Sequence, residues 1–290
     1  MSDQGRTEET LRLLQGCRVV AWITVPGRVF EAGRALKKSA RALRIKRLYL
    51  GRCYGRFDLV LDFYEPSERV ASFRLSELRR RLARTLGGEQ YLLASLLCTP
   101  IAPQKNPYAR KDQPIVAYTF LSNFVKNHVD VIRRVVPQDS SIESEFLWNT
   151  TAYPEIVVFR AYSMAELFGA LRGLKNLLVT QSKGTDVFTV VTLGMGRGFA
   201  EEKPAEVMAI TSIHFDDPFK LHLARRYDDQ FTWFDKYRNP VWRTGWFDLC
   251  WGMKKKTLRE VADTVAAIQR VGGLKLQTST VLLDAGNQFP

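Results

Sequence analysis

Histidine is nearly missing from this chain: His128, His214 and His222 are the three among 290 residues. None forms the helical i, i+4 pair of a metalloprotease, and a set of His214, Asp216 and His222 lacks the spacing of a structural metal site. No metal centre is therefore expected. Cysteine is scarce too. Cys17, Cys53, Cys98 and Cys250 stand far apart, which excludes a zinc ribbon and a disulfide scaffold and predicts buried free thiols. There is no Gly-x-Ser-x-Gly elbow. Gly194-Met195-Gly196-Arg197-Gly198 is glycine-rich, but Glu201, Glu202 and Pro204 follow it where a phosphate loop needs a helix start. No apolar run reaches the ~18 residues of a membrane span. The polar start Met1-Ser2-Asp3-Gln4-Gly5 does not read as a secretion signal. A cytoplasmic protein without catalytic machinery or cofactor is the expectation.

What is present is a repeat. Gly55-Arg56-Phe57-Asp58-Leu59 returns as Gly245-Trp246-Phe247-Asp248-Leu249, and Ala152-Tyr153-Pro154-Glu155-Ile156 sits near the midpoint. The run Cys17 to Gly55 spans the same 38 residues as Val207 to Gly245. Gly87-Gly88 and Gly272-Gly273 each close a helical stretch, and Gly173-Leu174-Lys175 is matched by Gly273-Leu274-Lys275. Such spacing predicts three copies of one unit.

The first copy reads strand (17–25), helix (28–43), strand (48–53), strand (58–64), helix from Pro66-Ser67, strand (91–101). Its first helix carries the stripe Val29, Ala32, Leu36, Ala40 and Leu43, and its second Ala71, Leu75, Leu78, Leu82 and Leu86. This order, βαββαβ, is the ferredoxin-like unit. The second copy has strands at 115–121, 142–148, 156–161 and 187–193. Its helices are 128–136 and 163–171, the latter with Ser163 and Glu166 as a capping box. The third has strands from 207, 233 and 247, and helices at 220–231 and 257–271. The predicted class is α+β: three tandem ferredoxin-like units at 17–103, 114–193 and 206–290, behind a leader at 1–16.

Positive charge is concentrated. Residues 1–110 hold 21 Lys+Arg against 10 Asp+Glu, whereas the rest of the chain is nearly balanced. Arg34, Lys37, Lys38 and Arg41 form one helical stripe, which Arg44, Lys46 and Arg47 extend. Arg69, Arg80 and Arg84 lie off the leucine face of the second helix. The two sets share one outer surface and are the candidate nucleic-acid contacts, to DNA or RNA phosphates and with little sequence preference. A solvated basic surface with no partner is the competing reading. Asp58 and Asp248 suit turn residues that accept backbone N–H groups, or ligand contacts. The ring cluster around Trp246 and Trp251 suits a core and interface, or a stacked small ligand.

The strand–helix–turn order, with Gly55-Arg56-Phe57-Asp58-Leu59-Val60-Leu61 and Gly272-Gly273-Leu274-Lys275-Leu276-Gln277-Thr278-Ser279-Thr280, resembles the ligand-binding domain of Lrp/AsnC regulators. That resemblance implies sheets paired as in dimeric α+β barrels, small ligands near unit interfaces and a regulatory role. The helix-turn-helix of that family has no room before the first strand. An odd number of sheets implies a homo-oligomer. A ligand sensor or scaffold without nucleic acid is the alternative, and a tetrapyrrole-binding or enzymatic relative a second alternative.

Overall fold

Period-two alternation along the first strand sets the architecture. In Cys17–Thr24 (β1), Val19, Ala21 and Ile23 enter one apolar cluster while Val20 and Trp22 enter another, so both faces of the strand are buried. One face meets helices. The other looks into a barrel. The computed structural model describes residues 16–25, 27–45, 48–54, 57–87, 91–101, 113–122, 141–149, 154–181, 187–195, 199–215, 241–242, 249–269 and 276–283.

The first unit continues through Val29–Ala42 (α1), Tyr49–Tyr54 (β2), Leu59–Glu65 (β3), Glu68–Thr85 (α2) and Leu92–Ile101 (β4). The second supplies Ile115–Leu121 (β5), Glu143–Trp148 (β6), Glu155–Ala161 (β7), Met164–Gln181 (α3) and Val187–Gly194 (β8). Eight strands close in the order β1-β3-β2-β8-β5-β7-β6-β4. Each half has the ferredoxin-like order, and the seams β2–β8 and β4–β6 join the halves antiparallel. The mixed α+β class and the barrel pairing expected from the sequence are what the chain adopts. The pairing partners are the first two units of one chain. The third unit, Val207–Phe215 (β9), Val241–Trp242 (β10), Leu249–Lys255 (β11), Leu258–Gln269 (α4) and Leu276–Leu283 (β12), forms an open sheet of order β10-β11-β9-β12.

Helix ends follow the local chemistry. Ser67 caps α2 by accepting from Val70 N, 3.4 Å. At α3, Ser163 Oγ accepts from Glu166 N while Glu166 Oε2 accepts from Ser163 N, both at 3.2 Å, so the capping box is real. The helix is longer than expected, however, running to Gln181. Leu167, Ala170, Leu174 and Leu178 keep one buried stripe through Gly173, and that apolar face outweighs the roughly 1 kcal/mol a mid-helix glycine costs. Gly173-Leu174-Lys175 is thus helical and not a strand entry. Its counterpart at 273–275 lies outside the described residues, as do the helices expected at 128–136 and 220–231 and most of the strand expected from 233.

The third unit docks on the barrel's outer wall. Val207, Ala209, Met253 and the α4 residues Leu258, Val261 and Val265 share one cluster with α3 and with Ile115, Ala117 and Tyr54 of the wall. Tyr54 Oη donates to Leu258 O at 2.8 Å. The acidic pair that argued against a phosphate loop has a structural use: Glu202 accepts from Leu258 N (2.6 Å) and Arg259 N (3.0 Å), so its carboxylate occupies the N-terminus of α4. Glu202→Ala should lower unfolding free energy by about 1–2 kcal/mol, with Glu202→Gln in between. Urea unfolding followed by circular dichroism checks the order.

Candidate functional site

Inward positions of the barrel divide into a polar group and an aromatic one. Arg18 of β1 is wholly buried and grips Asp62 of β3 with two donors, Nε to Oδ1 at 2.7 Å and Nη2 to Oδ2 at 2.5 Å. Its Nη1 donates to Tyr64 Oη at 2.9 Å and lies 2.6 Å from Glu145 Oε2 of β6. Tyr64 Oη also donates to Glu145. Tyr118 Oη, from β5, donates to Asp62 Oδ2 at 2.7 Å. Arg160 of β7 reaches Glu145 at 3.3 Å and Glu143 at 3.7 Å. Arg18, Asp62 and Tyr64 belong to one half of the barrel, and Tyr118, Glu145 and Arg160 to the other. The network therefore crosses the lumen and both seams.

Burial and the neighbouring charges shift Glu145, Arg18, Tyr118 and Tyr64. Burial alone would raise the Glu145 carboxyl, but Arg18 and then Arg160 outweigh it and bring it down to about 2. Burial would discharge Arg18, yet Asp62 and Glu145 hold it charged. The Tyr118 hydroxyl is pushed up by burial first and then by Asp62, and the Tyr64 hydroxyl is pushed up chiefly by burial. Neither tyrosine can serve as a base near neutral pH. The network orients and donates rather than relays protons.

The aromatic group sits beside it. Trp22 packs edge-on to Tyr118 at 6.0 Å, against Phe120 at 5.3 Å and against Phe57 at 6.2 Å. Phe120 stacks on Phe188 at 4.3 Å and 4°. Phe188 and its neighbour Val187 are exposed at the rim, 43% and 40%. Trp22 is 4% exposed, and its Nε1 has no acceptor among the described residues. A buried indole N–H without a partner is costly, and an acceptor brought by a ligand would relieve it.

Elsewhere the barrel is plugged by rings where β2 meets β8. Gly51 lies opposite Gly194. A Cβ on Gly51 would meet the Tyr49 hydroxyl at 2.7 Å and its ring at 2.8 Å, and one on Gly194 the Phe199 ring at 2.7 Å. Those two rings pack edge to face at 5.7 Å, and Tyr49 Oη bonds Thr192 Oγ1 at 2.8 Å. Gly194 thus serves to admit Phe199.

Those basic residues singled out in the sequence that are described lie apart from this lumen. Arg34, Lys38, Arg41 and Arg44 are exposed on α1 and its exit, with Lys37 half-buried among them. Arg69, Arg80 and Arg84 are exposed on α2. Lys46 and Arg47 fall outside the described residues. The charge is partly neutralised: Arg80 and Arg81 share Glu77 at 2.6 and 2.8 Å, Arg74 pairs with Glu65 at 2.5 Å, and Arg28 with Glu31. Asp58 is a turn residue: its Oδ2 accepts from Val25 N at 2.7 Å, and burial lifts its carboxyl to about 6. Trp246 and Asp248 lie outside the described residues. Trp251 stands on β11, with its side chain not described. Residues that sequence reasoning passed over are Arg18, Asp62, Glu145, Arg160 and Trp22. The signal for them was a charge at an inward position of a β-branched strand, where a hydrophobe is the rule.

No family model matches the chain, and no curated protein matches it. Solved structures do. A haem-binding protein from Thermus thermophilus aligns with 10% identity and a TM-score of 0.46, over 63% of this chain and 92% of its own. A mutant chlorite dismutase from Candidatus Nitrospira defluvii aligns with 11% identity and a TM-score of 0.44, over 65% and 94%. The siroheme decarboxylase NirDL, in complex with an iron-uroporphyrin III analogue, aligns over 93% and 72% with 12% identity and a TM-score of 0.21. At these identities the similarity is one of fold. It corrects the first reading all the same. The neighbours are chlorite dismutase-like and haem-binding barrels, not Lrp/AsnC regulators, and what the two groups share is the ferredoxin-like unit on which the resemblance was drawn. Transcription regulation through nucleic acid is accordingly set aside. The physical reason the sequence misled is that the turn and strand motifs report the unit, not its use, and that a basic helix surface is as readily a solvated, ion-paired one.

Glu145 generates a test. Its carboxyl is depressed from 4.5 to about 2, so the ionised form contributes stability that is present above about pH 4.5 and lost as pH falls toward 2. Glu145→Gln should cost roughly 3 kcal/mol near neutral pH. The gap to the parent should narrow on acidification below about pH 4.5. Urea titrations at about pH 7 and about pH 3 read both quantities.

Proposed function

We propose that this chain is a small-molecule-binding α+β barrel protein whose ligand is a flat organic molecule carrying a hydrogen-bond acceptor. It is seated at the mouth formed by Trp22, Phe57, Phe120 and Phe188. The observation that carries this reading is the Trp22 indole N–H, buried among rings and unpartnered among the described residues, behind a Phe188 that is 43% exposed. Stacking supplies affinity for a flat ring, and the indole donor fixes its orientation. The Tyr118–Asp62–Arg18 array behind Trp22 keeps the inner wall rigid and charged. Binding is the activity that the rings and the unpartnered indole donor support.

Tetrapyrroles are the first ligands to try, because two of the neighbouring structures are named for them. The described residues at the mouth are rings and one indole donor, and no metal ligand is assigned among them. His214 stands on β9, outside the barrel, and His128 and His222 lie outside the described residues. Tyr49, Tyr64 and Tyr118 are committed to hydrogen bonds. No step through iron is derived. Metal-free uroporphyrin and haem should both quench tryptophan fluorescence on titration. Phe188→Ala should weaken binding about tenfold, and Trp22→Phe should weaken ligands with a ring-edge acceptor while sparing those without. Unchanged affinity in both variants overturns the reading.

A second feature favours self-association, with the third unit pairing to that of a second copy. On its sheet Ile210 and Val281 stand opposite each other, 36% and 55% exposed, on the face away from the buried Ala209, Thr211 and Thr280. The first two units cover the corresponding face of each other by closing a barrel, and the third has the same strand order with β10 and β12 at its edges. The divisions 17–103, 114–193 and 206–290 are read in the same terms, as three copies of one unit. Buried free thiols at Cys17, Cys53 and Cys98 favour residence in the reducing cytoplasm. No helix among the described residues is long and apolar enough to cross a membrane. Light scattering should give a dimer mass that Val281→Lys reduces to a monomer. A monomeric parent at micromolar concentration removes this reading.

A further inference from the structure

A second, separate site lies on the outside of the barrel. Phe30, Gly33, Arg34 and Lys37 follow one another at i, i+3, i+4 and i+7 along α1 and, with Met195 at the exit of β8, line an open concavity of about 450 Å³. That size falls within the roughly 300–1,000 Å³ of small-molecule sites. Two of its five lining residues are cationic, none is acidic, and Phe30 is 43% exposed. We propose that this groove binds an aromatic carboxylate: a flat ring laid against Phe30 and Met195, its carboxylate held by Arg34 and Lys37.

The groove is held in shape by specific contacts. Lys37 Nζ donates to Met195 O at 2.6 Å, which pins the β8 exit to the helix and fixes the ammonium at the groove's edge. Gly33 is what lets the two approach, since a Cβ there would meet Met195 Cε at 3.2 Å. A glycine within a helix is disfavoured, so a close packing need is its natural explanation. The Arg52 guanidinium lies 5.9 Å from the Phe30 ring centroid and supports it from the β2 side. Burial, and then Arg41, lower the Lys37 pKa, consistent with positive charge gathered beside a hollow with no carboxylate among its described lining residues. A carboxylate ligand supplies that offset, and Arg34 can meet it with two parallel N–H donors.

The chemistry separates this site from the barrel mouth. The mouth offers a single neutral donor among rings; the groove offers two cations beside one ring. Pyrenebutyrate, whose fluorescence reports its own binding, tests the difference with the full-length protein. It should bind with an affinity that falls about tenfold in Arg34→Glu and in Phe30→Ala, and about tenfold for the neutral pyrenebutanol against the parent. Arg34 and Phe30 are exposed or partly exposed, so both variants should keep the parental circular dichroism, and Gly33→Ala should narrow the groove and weaken binding as well. Lys175→Gln, exposed on α3 and outside both sites, should leave the pyrenebutyrate affinity unchanged. Equal binding of the acid and the alcohol, or affinity indifferent to Arg34→Glu and Phe30→Ala, overturns the proposal. Loss of binding in Trp22→Phe with retention in Arg34→Glu would assign the probe to the mouth and equally overturn the groove.

Discussion

The grip of Arg18 on Asp62 and Glu145 is the constraint from which the rest of the barrel follows. A guanidinium with no solvent exposure is tolerated only when its donors are met. Here Asp62 and Tyr64 meet its nitrogens from its own half, and Glu145 reaches one of them from across the β4–β6 seam. The second half cannot slide by one residue against the first, because that would carry Glu145 out of the lumen and leave Arg18 short of a partner. Apolar packing alone would not set this register so sharply: Val20, Val60, Val158 and Val190 are similar in size, and the wall they form would accept several alignments.

That same network shapes the candidate site. Tyr118 is drawn to Asp62, and its ring thereby presents an edge to Trp22. Trp22 is then boxed by Phe57 and Phe120, and its N–H is left without an acceptor among the described residues. Most buried donors in proteins find an acceptor. One that does not, at the inner end of a ring-lined mouth, is set there at a cost to stability, and sites that bind or react are where such costs are retained.

Much of the architecture could be read from the residues, and the reasons are local. The stripe Val29, Ala32, Leu36, Ala40 marks α1, and all four are buried. Ser163 and Glu166 marked the start of α3, and they close the box expected of them. Asp58, given as a turn residue or a ligand contact, accepts a backbone N–H, though from Val25 just past β1 and not from its own turn. The lumen was not legible because its key residues are ordinary in one dimension. Arg18 precedes an apolar run and looks like a flanking charge. Asp62 interrupts Leu61 and Phe63 as a solvent-facing residue of an edge strand would. Only closure of the sheet turns those positions inward, and closure depends on contacts between residues far apart in the chain, such as Tyr64 with Glu145.

Charge misled for a related reason. A sequence gives the sign and spacing of side chains on a helix, and Arg34, Lys37, Lys38 and Arg41 form a stripe by any count. It does not give what the neighbouring element lays beside them. Lys37 turns out to be tied to the backbone of β8's exit, and Phe30 and Gly33 of the same helix face complete a concavity with it. A polyanion needs a long, even run of phosphate contacts, whereas this surface offers a bounded hollow with a ring in it. The positive charge of the first unit is thus used in two unlike ways: on α2 it is taken up in part, Arg80 and Arg81 by Glu77 and Arg74 by Glu65, and on α1 it borders a hollow sized for one small molecule.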